Sequence, residues 1–456
     1  MKNLDRDSID FGKGSIGGLF VKLLLPTLAG LLFSSIFLLT DGIFVGHGIG
    51  SDGLAVVNIV MPIFTLETGI GMMFAIGASV VAAIHLAKDN VKAARIIVTQ
   101  AYIAVLFLGA LLALVLYCFP GAVLRLLGAS EELMPMCLEY YLWFAPCGLC
   151  VMLQLVSQFV IRLDGDPMYS GLVEIVPACF NILLDWFFIF QMKWGLMGAA
   201  LATSIGSFTG VLMSLADLLF RRRTLALYRL KRTVTSLVLT LRNIGYMAKV
   251  GFSGFLAEFS MSVLTLAGNY AFMRMLGEDG VAAFSVACYL LPIVYMICCA
   301  IAQSAQPIIS YNYGKGDSPR MSQAFRISTS CAVIVGAVIT LLITFFCKYV
   351  VLIFLDSASP VYEMCVKGFP IFTIGFAFMA VNVNVIGYCQ SVEQSARSII
   401  FTILRGMLLP VTAFFLLPQY FGTNGLWMSL PVSEILTFIA IAATYLADSR
   451  SHKSAA

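Results

Sequence analysis

Long apolar runs alternate along the chain with short clusters of charge or of glycine and proline. Cutting at those clusters leaves twelve runs, near residues 19–46, 53–87, 91–118, 133–162, 167–190, 194–220, 243–276, 280–313, 320–347, 360–391, 396–417 and 424–447. A helix needs roughly 20 apolar residues to cross the hydrocarbon of a bilayer, so each run can be a transmembrane helix. Several exceed 25 residues, which calls for tilt, kinks or extension past the hydrocarbon. The pattern predicts an all-α polytopic membrane protein with twelve transmembrane helices.

The pattern also repeats. Gly50-Ser51-Asp52-Gly53 recurs as Gly277-Glu278-Asp279-Gly280, Ala55 as Ala282, Lys88 as Lys315, and Gly195 with Gly198 as Gly422 with Gly425; each pair is 227 residues apart. Four sites sharing one gapless offset point to two pseudo-symmetric six-helix lobes. The first lobe is 1–222 and the second 243–456, joined by a basic linker at 223–242. Six spans per lobe is an even number, so the lobes enter the membrane in the same sense. This is a parallel repeat about an axis along the membrane normal, an architecture associated with alternating access.

Composition narrows the class further. The chain is 60% hydrophobic and 11% charged, against about 45–50% and 25% in soluble domains. That leaves no room for a large soluble catalytic domain, a nucleic-acid module or a secreted disulfide scaffold. Basic residues then orient the spans, because cytoplasmic loops carry the excess of lysine and arginine. With both termini inside, 20 basic residues fall on the cytoplasmic side and 5 outside. The run Arg221-Arg222-Arg223 belongs to that asymmetry and to attraction by the anionic inner leaflet, not to nucleic acid. Residues 1–18 are polar and glycine-rich and the first apolar run is too long for a signal core, so no cleaved signal is expected. The twelve cysteines, including the Cys147/Cys150 pair, sit in apolar surroundings and read as small buried hydrophobes. There is no GxxxxGK[ST], HExxH or serine-elbow motif, and histidine occurs only at positions 47, 85 and 452. No enzymatic activity and no cofactor are expected.

Candidate chemistry lies in the charges within the spans, each of which costs about 2.5–3.5 kcal/mol at a helix centre. The deep ones are Asp41, Glu67, Asp185, Glu258 and Glu434, with Arg405 the main base. At 1.5 Å per residue, Asp41 and Asp185 lie about 13 Å and about 9 Å outside their span centres. Asn181 precedes Asp185 by four residues, on the same helix face, and Thr203 in the returning span falls at the same level. Two carboxylates in one buried site cannot both stay cheaply ionised, so Asp41, Asn181, Asp185 and Thr203 are the candidate site for a proton or a sodium ion. Asn181 and Thr203 also suit plain hydrogen bonding between helices. Pro26 interrupts the first span and permits either a functional bend or a static kink. Glu258 is a candidate for a cationic substrate or a second ion, with Glu67 a further candidate. Arg405 is expected to neutralise one of the acids.

In these residues the chain resembles the multidrug and toxic compound extrusion (MATE) family. The shared pieces are Pro26 with Thr40-Asp41-Gly42-Ile43-Phe44-Val45-Gly46, Asn181-Ile182-Leu183-Leu184-Asp185, Gly195-Leu196-Met197-Gly198-Ala199-Ala200, and Arg405, Pro410, Gly422, Gly425-Leu426-Trp427, Pro431 and Glu434 in that order. The resemblance implies secondary active antiport: small organic cations or amphipathic molecules leave in exchange for H+ or Na+. It assigns the cation site to Asp41, Asn181, Asp185 and Thr203, and the bending helix to Pro26. Some branches pair an acid at Glu258 with one in the tenth span, where this chain offers Asn382 and Asn384. The expected setting is the plasma (inner) membrane, in contact with lipid, as a monomer. A lipid-linked oligosaccharide flippase is the alternative, but it would want a cationic cavity, and the spans lean acidic.

Overall fold

The computed structural model describes residues 9–221, 224–357 and 359–454, and these are almost wholly helical, with no strand among the described residues. The helices are α1 (Ile16–Gly48), α2 (Ser51–Ala87), α3 (Val91–Cys118), α4 (Pro120–Leu126), α5 (Met134–Leu163), α6 (Pro167–Asp185), α7 (Gly195–Phe220), α8 (Val234–Lys315), α9 (Ser318–Phe345), α10 (Cys347–Leu352), α11 (Pro360–Phe372), α12 (Ile374–Ser391), α13 (Ser395–Ile403), α14 (Leu409–Phe421) and α15 (Thr423–Ser454). Their starts carry local signals. Ser15, Asn90, Asp166, Thr233 and Ser359 each accept a backbone N–H of the first turn, and prolines stand at the first position of α6 and α11. Such caps satisfy donors that a helix cannot pair itself.

Eleven of the described helices are long and apolar enough to cross a membrane. One of them, α8, has 82 residues. At 1.5 Å per residue that is about 120 Å, four times the hydrocarbon thickness of about 30 Å. It breaks at Gly277, with φ 66° and ψ −151°, so its two arms are separate spans and the described residues hold twelve. That conformation is open essentially only to glycine. The repeat partner Gly50 takes the related conformation φ 106°, ψ −167°. Gly195 and Gly422 match at φ 56° and 57°, and Asp89 and Gly316, again 227 apart, are both left-handed. The duplication seen in residue types is therefore also a duplication of backbone turns.

The boundaries of two elements differ from expectation. α8 begins at Val234, nine residues before the predicted span and inside the expected linker. Side chains of α3 hold this extension: Gln100 donates to Thr240 (2.9 Å) and accepts from Asn243 (3.0 Å). The non-helical stretch before it is also docked, with Arg95 donating to the Thr224 carbonyl and the Tyr228 N–H donating to Thr99. Arg221 pairs with Asp166 at 2.9 Å and lies over the Tyr169 ring, while Arg222 and Arg223 lie outside the described residues. The tenth run, 360–391, is two helices meeting at Thr373.

The chain forms two compact units. The first comprises residues up to Glu258 with Gln306–Met321 and Ser391–Glu393; the second comprises Phe259–Ala305, Ser322–Gln390 and the chain from Gln394 on. In the first, α2 packs on α3 and α5, α5 on α7, and α6 on both α1 and α7, around Val45, Val60, Tyr141, Phe144 and Leu196. In the second, Trp427 is buried among Phe272, Phe369 and Phe372, the nearest ring edge-on at 5.0 Å. Each unit keeps large apolar side chains outside, among them Phe107, Leu114 and Phe220 in one and Leu341, Leu342 and Phe345 in the other. Faces this apolar are stable against lipid, not water.

Candidate functional site

The polar core of the first unit is built on α6. Its Asn181 and Asp185 stand one turn apart, and at Asp185 the α-helix gives way to a π-helical turn, Trp186–Gln191. Such turns widen a helix locally and recur at functional positions. α7 comes close at Gly206, where a Cβ would stand 3.0 Å from the Pro177 carbonyl oxygen and 3.1 Å from Asn181 Cβ. This approach lets Asn181 Nδ2 donate to Thr203 Oγ1 at 3.1 Å, and Thr203 donates onward to the Ala199 carbonyl at 3.1 Å.

Asp41, on α1, comes up to Asp185, its carboxyl group within hydrogen-bonding reach of that of Asp185. Asp185 is fully buried and Asp41 is 7% exposed. No donor reaches either carboxyl oxygen of Asp185, Oδ1 of Asp41 or Oδ1 of Asn181 among the described residues. Buried acceptors left unpaired are costly, and two carboxylates facing each other repel. A proton shared between the acids, or one small cation among the oxygens, relieves both.

Beside Asp41 and Thr203 is a cavity of about 30 Å³, walled by Met61, Phe64, Tyr140 and Phe144 among others. That is room for about two waters. Tyr140 stacks on Phe144 at 5.3 Å. On α5 the Cys147 thiol lies 3.2 Å from the Ser207 hydroxyl and 3.9 Å from the Thr203 carbonyl oxygen. Nothing in the spacing of Tyr140 or Ser207 marks either residue in the sequence, and Cys147 reads there only as a hydrophobe.

The structure thus gathers Asp41, Asn181, Asp185 and Thr203. Glu67 lies apart from them on α2, 2% exposed, its carboxyl filling a notch where a Cβ at Gly148 would be 1.9 Å away. Its Oε2 has no partner among the described residues. Pro26 is on the Asp41 helix, buried, its carbonyl oxygen 2.9 Å from where a Cβ of Gly171 would lie. Glu258 is half-buried on α8, and among the described residues no hydrogen bond or charge interaction joins it to the other four. In the second unit Arg405 neutralises Glu434 with an ion pair at 2.9 Å, and Asn382 donates to the same carboxylate at 2.8 Å.

Comparison with known proteins agrees with the resemblance. The MatE family model matches residues 26–187 and 255–415, two segments at nearly the repeat offset. The multidrug export protein MepA of Staphylococcus saprophyticus is 25% identical over 442 residues, covering 94% of this chain and 93% of that protein. MepA of Staphylococcus aureus NCTC 8325 is 23% identical over 430 residues, covering 91% and 90%. Among solved structures, a MATE in complex with MaD3S superposes with a TM-score of 0.88 at 20% identity, over 97% of this chain and 98% of that one. An outward-facing multidrug resistance MATE family transporter of the MOP superfamily gives 0.87 at 20%, over 94% and 95%.

Proposed function

The chain belongs to the MatE family, and on that premise we propose that it is a secondary active antiporter. It exports organic cations and amphipathic drugs by alternating access in exchange for H+ or Na+. The observation that carries this reading is the facing carboxyl pair Asp41/Asp185, three of its four oxygens without a partner among the described residues, beside a small cavity. One cation entering from outside binds there, with Asn181 and Thr203 supplying further oxygens. Binding pulls on α1, which yields at Pro26, and the altered helix releases the drug. Glu258 and Glu67 are the candidate positions for the drug's charge or a second ion.

The driving force is adequate. One charge crossing 100 mV releases about 2.3 kcal/mol, and one pH unit adds about 1.4 kcal/mol. A monovalent drug cation exchanged for one proton feels only the second part. The relatives named as multidrug export proteins support export as the direction, and the lipid-flippase alternative is weaker because the unpartnered groups at the Asp41/Asp185 site are carboxyl and amide oxygens, not cations. The chain works as a monomer in the inner membrane with both termini in the cytoplasm.

The test uses purified protein in liposomes. A fluorescent organic cation is followed under an imposed pH gradient and then a sodium gradient. Wild type is expected to move the dye against its gradient under one of them, while Asp41→Asn and Asp185→Asn, monodisperse on size exclusion, are not. Unaltered gradient-driven movement in both variants would overturn the site.

A further inference from the structure

A further buried acid of the first unit has no part in the site above. Glu174 is on α6, seven residues before Asn181 and eleven before Asp185, and spacings of seven and eleven keep one helix face. It sits about 16 Å nearer the α6 N-terminus than Asp185, toward the cytoplasmic end. The side chain is only 8% exposed.

Its surroundings are built by three helices. From α1, Ser34 donates to Glu174 Oε1 at 2.9 Å. Also on α1, Gly30 leaves the space the carboxylate fills: a Cβ there would be 2.5 Å from Glu174 Oε2. From α5 comes Arg162, 3% exposed, which acts on Glu174 through its charge. Both α1 contacts lie just beyond Pro26, at four and eight residues, and Gly171 packs on the Pro26 carbonyl itself. α6 thus grips α1 on the arm that moves when the helix bends at Pro26.

A bend would draw Ser34 away from the carboxylate. A buried carboxylate that loses a donor is expensive unless it is neutralised. We propose that Glu174 is a second, inner proton-binding site, loaded and emptied on the cytoplasmic side as α1 moves. The step is simple: a proton from cytoplasmic water adds to a carboxylate oxygen when Ser34 withdraws, and returns to that water when Ser34 closes again. No electron moves. Arg162 keeps the site anionic while α1 is straight.

This rests on the antiport reading, and the experiment separates the two. Wild type, Glu174→Gln and Ser34→Ala are reconstituted, and dye transport is measured while the pH of the cytoplasmic face is varied. Gradient-free dye exchange is followed in parallel. Glu174→Gln is expected to lose about tenfold of gradient-driven transport, an ordinary size for a coupled site. It should flatten the dependence on cytoplasmic-face pH and keep gradient-free exchange; Ser34→Ala should shift the midpoint. A wild-type pH profile in Glu174→Gln overturns the inner site alone. Wild type that ignores both gradients overturns the antiport reading and the inner site together. Should Glu174→Gln fail to fold, carbodiimide modification of wild type decides, read by peptide mass spectrometry. An adduct on Glu174 that rises as pH falls supports the proposal, and none at any pH under conditions that modify Asp41 overturns it.

Discussion

Glu434 and Arg405 offer a quantitative test of which intramembrane acids hold the fold and which are free to work. The pair is buried, with side-chain exposures of 1% and 8% and a separation of 2.9 Å. The guanidinium also lies 5.2 Å from the Tyr295 ring centroid. Glu434→Ala strands an arginine that cannot shed its proton, so the cost should be about 3–5 kcal/mol. Asn382 adds little to that cost, because it keeps its second bond, 2.8 Å to the Glu434 backbone carbonyl. Arg405→Met leaves a carboxyl that still accepts from Asn382 and can neutralise itself by binding a proton, at about 1–3 kcal/mol. The double variant Arg405→Met/Glu434→Leu should cost less than Glu434→Ala alone, since a matched apolar pair often replaces a buried ion pair without loss. The measurement is equilibrium unfolding in mixed micelles by sodium dodecyl sulfate, with Glu434→Leu added as the second single variant so that it, Arg405→Met and the double variant close a double-mutant cycle. Additive single costs in the double variant, or a Glu434→Ala cost under about 1 kcal/mol, would refute the argument.

Two further outcomes follow from the backbone. Gly50→Ala and Gly277→Ala should destabilise by similar amounts, about 1–3 kcal/mol each, because both residues hold a glycine-only conformation at equivalent points of the repeat; the same unfolding titration reads both, and a neutral effect at either would break the equivalence. Gly206→Val should force α7 from α6 against the Pro177 carbonyl, break the Asn181–Thr203 bond and lower gradient-driven dye transport, with wild-type transport as the refuting result.

Much of this protein is legible in the order of its residues. Hydrophobicity repeats along a chain, so the spans can be counted, and the charge of the loops gives them a direction. The duplicated glycines carry a backbone requirement that any other residue would find costly, so Gly50 with Gly277 and Gly195 with Gly422 mark both the repeat and its turns. Depth along a helix follows from residue count alone, and it places Asp41, Asn181, Asp185 and Thr203 in one layer. Depth does not give rotation about the helix axis. Which acids face each other depends on how neighbouring helices turn and how closely they approach, and side chains on both helices set that. Only the tertiary structure put Asp41 against Asp185, paired Glu434 with Arg405, seated Glu67 against Gly148, and extended α8 to Val234 through Gln100. The same limit hid Glu174: its face can be read on α6, but its partners Ser34 and Arg162 are 140 and twelve residues away in sequence and meet it only because α1 and α5 pack on α6.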